Sequence, residues 1–142
     1  MYKNNRLNIF IYLFVKYIVF FIVLAFISDR FKNNVVDNAV TSREMFKLTG
    51  QYIMYVLIYT LPLVLIFIFP LYHILIIKRT KFFIIYIILL FSSEYIIYTY
   101  LYASSNKILG IYNLGIGVIL LWLFFYKSIL IKFNSTARSK NR

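Results

Sequence analysis

Four long apolar runs, residues 7–28, 52–77, 82–102 and 108–131, occupy most of this 142-residue chain. Each is about the length of a bilayer-crossing helix, which needs roughly 20 residues to traverse the hydrocarbon core. With 63% hydrophobic residues the chain lacks the polar surface of a soluble domain this size. The runs predict an all-α membrane protein, a four-helix transmembrane bundle forming a single polytopic domain over residues 1–142. They leave a first loop at 29–51 and a basic tail at 132–142, but no length for a separate soluble catalytic domain.

The net charge is +12. In a soluble protein that excess would point to nucleic acid. Here it reads as membrane topology, because Lys and Arg collect at cytoplasmic borders. Four spans put both termini and the second loop on one side, with ten Lys and Arg against five on the other. Both termini are therefore expected in the cytoplasm, in a cytoplasmic (inner) membrane. Lys127, Lys132, Arg138, Lys140 and Arg142 form a juxtamembrane cluster expected to contact anionic lipid headgroups. The first span reads as uncleaved, since Lys16 interrupts it and residues 25–28 offer no clean pair of small residues for a signal peptidase.

Within the first loop, residues 33–38 (NNVVDN) read as irregular. Thr41 to Glu44 then match a capping box that would start the second span early, near Ser42. Tyr52, Tyr55 and Tyr59 fit an aromatic belt at the outer border. Pro62 and Pro70 in the second span read as tolerated kinks, with a hinge or cavity wall as the alternative. Gly115 and Gly117 would let the fourth helix approach a neighbour closely, and Trp122 is read as packing rather than belt. Asn113 is expected to hydrogen-bond a neighbour.

Chemistry is sparse. Cysteine is absent, and His73 has no companion ligand at metal-binding spacing. No catalytic constellation, metal site or cofactor is expected. Glu94 and Lys16 stand out because a charge inside a membrane span costs several kcal/mol, on the order of 3 by insertion scales. At about 1.5 Å per residue they lie roughly 18 and 12 Å from the cytoplasmic side, close enough to pair if the first and third spans touch. Three readings compete: a structural ion pair, a snorkelling Lys16 beside a protonated Glu94, and a proton- or cation-coupling site. Ser92, Ser93, Tyr98, Thr99 and Tyr102 are expected to extend Glu94 into a polar stripe, either helix glue or a cavity lining.

The function expected from this pattern is that of a non-catalytic membrane protein. It would act through contacts with another membrane protein or with its own copies, as an accessory or assembly subunit or a toxin-immunity protein. A small transporter or channel using Glu94 is the first alternative. Handling of lipids or lipid-linked glycans is the second.

Overall fold

A computed structural model describes residues 6–27, 29–101 and 108–140, with side chains through Phe133. The elements are α1 (Arg6–Ile27), a π-helical turn (Lys32–Val36), α2 (Ser42–Ile76), α3 (Thr80–Leu101) and α4 (Ile108–Lys140). All four α-helices are long and apolar enough to cross a membrane. They pack as a ring in which α1 touches α2 and α4, and α3 touches the same two. That leaves α1 and α3 facing each other across the diagonal.

The helix bounds differ from the hydropathy runs at two ends. α2 begins at Ser42, ten residues ahead of its apolar run, because the capping box forms. The Glu44 N–H donates to Thr41 Oγ1 at 3.3 Å, and the Glu44 carboxylate accepts from the N–H groups of Thr41 and Val40 at 3.2 and 3.1 Å. Free N–H groups of the first turn are thereby satisfied, which a helix start requires. At 35 residues α2 is about 52 Å long, well beyond the roughly 30 Å hydrocarbon core. α4 likewise runs on through the expected tail to Lys140.

The segment expected to be irregular is also ordered. Asp29 adopts φ 53, and the chain then coils into the π-turn with Asp37 N donating to Lys32 O at 2.9 Å. Asn38 Nδ2 donates to Asn33 O at 2.8 Å, so one asparagine side chain closes back onto the wide turn. Val35 is buried beneath it, and Phe31 meets Tyr52 edge-on at 5.5 Å. Apolar and aromatic anchoring, not local propensity, gives this loop its shape.

α2 continues through Pro62 and Pro70, each of which removes one backbone donor. Both rings lie on the exposed face. Tyr52, Tyr55 and Tyr59 form a ladder with centroids 6.2 and 4.5 Å apart. Trp122 does not pack inside as expected. It is 47% exposed and meets Tyr126 edge-on at 5.0 Å.

Close approach to α4 falls on Gly110 and Gly117 rather than on Gly115 and Gly117. A Cβ at Gly110 would meet Thr99 Oγ1 and Tyr95 at 2.8 Å, and one at Gly117 would meet the Lys16 stem at 2.9 Å and Phe91 at 3.0 Å. Nothing lies within 4 Å of a Cβ at Gly115. Seven residues separate the two contact glycines, which is two helical turns, so both lie on one face. Between membrane helices, where lipid is as apolar as leucine, this packing replaces hydrophobic drive.

Gly110→Ala should therefore lower the thermal unfolding midpoint in detergent. Gly115→Ala should leave it unchanged or raise it, since alanine is favoured over glycine by up to about 1 kcal/mol inside a helix.

Candidate functional site

A polar pair sits at the centre of the largely apolar bundle. Lys16 on α1 and Glu94 on α3 are each 1% exposed, and Lys16 Nζ donates to Glu94 Oε2 across the diagonal. The neighbouring Tyr17 hydroxyl donates to the other carboxylate oxygen, Glu94 Oε1, at 2.6 Å. Both oxygens of the acid thus have a partner from α1. The lysine ammonium also lies 5.2 Å from the Phe91 ring centroid and 5.4 Å from that of Tyr17, within cation–π range.

All four helices shape this site. α4 contributes Gly117, whose missing side chain leaves room for the Lys16 stem. Its carbonyl accepts from the Tyr12 hydroxyl at 3.0 Å. α2 contributes Phe67, 6.4 Å from the Tyr17 ring. Tyr98, one turn beyond Glu94, stacks on Tyr17 at 5.7 Å and meets Phe20 edge-on at 4.8 Å. Aromatic rings therefore wall the pair off from lipid on either side.

The expected polar stripe does not hold together. Tyr98 is buried beside the pair, but Ser92 and Ser93 are exposed, and Ser93 Oγ donates back to Leu90 O at 2.8 Å within its own helix. Helix geometry explains this. Residues one and two positions from Glu94 are turned about 100° and 200° away, whereas i+4 returns to its face. Thr99 is half-buried and set against Gly110. Tyr102 lies outside the described residues.

The basic cluster also divides. Lys127 is exposed, as a headgroup contact needs. Lys132 turns inward instead. Its ammonium donates to Leu75 O at 2.8 Å and Ile74 O at 3.5 Å and sits 4.2 Å from the Phe83 ring centroid. Its own carbonyl accepts from Thr80 Oγ1 at 3.0 Å. The last carbonyls of a helix have no N–H further along it to accept from; here the Ile77 N–H caps Ile74 O at 3.2 Å, and a cation from α4 adds to the carbonyls of Ile74 and Leu75. The side chains of Arg138 and Lys140, and Arg142 altogether, lie outside the described residues.

Some polar residues in the core escaped sequence reasoning. Tyr17 and Tyr12 read as ordinary members of an apolar run, and only their i+1 and i−4 spacing from Lys16 marked them. Thr60 and Asn113 are both fully buried, yet Thr60 Oγ1 and both amide atoms of Asn113 have no hydrogen-bond partner. For Asn113 this differs from the expected hydrogen bond to a neighbour. It lies one turn from Gly117 on the same face of α4. Among the described residues, no group of His, Cys, Asp and Glu is placed to share a metal ion.

Set against known proteins, the chain matches no family model, no curated protein and no solved structure. Its class follows from the fold: an all-helical protein whose four apolar helices fit a multi-pass membrane protein.

Lys16→Met or Glu94→Leu alone should destabilise the bundle by about 3 to 5 kcal/mol, because each strands a buried charge. The double variant should recover most of that loss in detergent unfolding. Tyr17→Phe should cost about 2 kcal/mol, the usual worth of a hydrogen bond to a charged group.

Proposed function

We propose that this is a non-catalytic integral membrane protein that works by binding another membrane protein inside the bilayer, as an accessory or assembly subunit or a toxin-immunity protein. The observation that carries this reading is the closed state of the Lys16–Glu94 pair, in which both carboxylate oxygens have partners within the chain. A charge pair so enclosed serves as a register lock for α1 against α3. What then stays available is surface.

That surface has a shaped feature. An apolar groove of about 380 Å³ lies between the carboxyl-terminal half of α1 and the amino-terminal half of α2, lined by Phe21, Ala25, Phe31, Tyr52, Ile53 and Val56. It continues into the tyrosine ladder of α2. Exposed aromatic rings beside an apolar groove suit an incoming helix, which supplies large contact area at low entropic cost. With both termini cytoplasmic, the groove would open in the outer half of the bilayer of the cytoplasmic membrane.

A second reading, a small proton- or cation-coupled transporter, draws on Asn113 and Thr60. Their buried polar atoms without protein partners are the kind of group that lines an ion path. In that case Glu94→Gln should abolish coupled flux in proteoliposomes while the protein still inserts.

A photo-crosslinking amino acid at Ile53 tests the partner reading. In native membranes it should give one discrete, stoichiometric protein adduct, whereas the same probe at Ile119, on the exposed face of α4, should give none. Lipid adducts alone from both positions would overturn the reading.

A further inference from the structure

We propose that the elbow between α2 and α3 is a binding site for an anionic phospholipid. An open cleft of about 710 Å³ lies there, floored by Pro70, Ile74, Phe82 and Tyr86 and rimmed by His73, Lys78 and Arg79. None of these residues takes part in the central ion pair or in the α1–α2 groove.

The electrostatics of the elbow are built for an anion. Helix ends carry partial charges, negative at the carboxyl end of α2 and positive at the amino end of α3. Left alone, the two would offset each other. Lys132 breaks the balance by donating to the carbonyls of Ile74 and Leu75, so the negative end is already met from within the protein. The positive end of α3 is left beside Lys78 and Arg79, both exposed.

No acid competes for these cations. The chain has four acidic residues. Asp29 and Asp37 lie in the connection between α1 and α2 and Glu44 in the first turn of α2, all at the opposite end of α2, and Glu94 is held by Lys16 and Tyr17 in the core. The rim is therefore purely basic.

The floor selects a lipid over a free anion. Pro70 and Phe82 are exposed large apolar surfaces facing the cleft, and they continue along the apolar outer faces of α2 and α3. A phospholipid would set its phosphate against Lys78 and Arg79 and lay an acyl chain along Phe82 and Tyr86. Basic pockets between helices at a membrane border recognise anionic headgroups in this way. Pro70 contributes directly, because its ring lines the cleft and it carries no N–H that would need a partner.

The test uses the full chain in a neutral detergent, titrated with dioctanoyl phosphatidylglycerol, dioctanoyl phosphatidylcholine or inorganic phosphate. Native mass spectrometry and the unfolding midpoint are the readouts. The phosphatidylglycerol adduct should dominate, and Lys78→Gln with Arg79→Gln should weaken it by on the order of tenfold, while Lys47→Gln, exposed at the opposite end of α2, leaves it intact. Equal adducts from phosphatidylcholine, or an undiminished adduct in the double variant, would overturn the proposal. Equal stabilisation by inorganic phosphate would also overturn it, in favour of a simple anion site. A variant that needs no rim mutation provides a second check. Tyr86→Trp in a Trp122→Phe background should be quenched more by brominated phosphatidylglycerol than by brominated phosphatidylcholine, and equal quenching would count against the site.

Discussion

A lysine and a glutamate meet at the centre of this largely apolar bundle, and the side chains packed around them keep the pair enclosed. Neither charge can turn to water from where it sits, since both side chains are 1% exposed. In a bilayer no solvent can share the load, so each group must find its complement in protein. Sliding α1 against α3 by one turn would move the partners about 5.4 Å apart and leave two unmatched charges in hydrocarbon. The pair therefore excludes alternative registers more strongly than apolar contacts could. Leucine and isoleucine faces pack about equally well in several registers when lipid competes for them.

The ring of helices is arranged to serve that diagonal contact. Gly117 is small so that the lysine stem can pass α4, and its carbonyl holds Tyr12. Tyr17, Phe20 and Tyr98 form an aromatic enclosure around the acid. A second polar device operates at the α2–α3 end, where Lys132 reaches from α4 to the final carbonyls of α2. Both devices use a lysine from one helix to settle a polar demand on another. In one case the demand is a carboxylate, in the other the carbonyls at a helix end. Each ties together elements far apart in the chain.

The two ends of the molecule consequently differ in character. The end with the α1–α2 connection holds three of the four acids, a capping box and the tyrosine ladder around an apolar groove. The other end is basic and carries the elbow cleft. A protein contact through the first and a lipid contact through the second are compatible uses of one small bundle, since neither draws on the buried pair.

From the sequence alone, the count and approximate extent of the helices could be read, because a run of about 20 apolar residues has few other fates. The capping box was also legible, since its four residues act on one another locally. That Lys16 and Glu94 were the residues to watch followed from the cost of burying a charge. The rest was settled by tertiary structure. Spacing showed Ser92, Ser93 and Tyr98 near Glu94, but only packing decided that Tyr98 turns inward and the serines outward. Lys132 belonged to a basic run that looked bound for headgroups, and it turned inward because α2 happens to end within its reach. Gly110 rather than Gly115 became the close contact because of where Tyr95 and Thr99 lie on α3. Local chemistry fixes helices and their caps, whereas the partner of a charge, a carbonyl or a glycine face depends on which helix stands opposite, and no single segment encodes that.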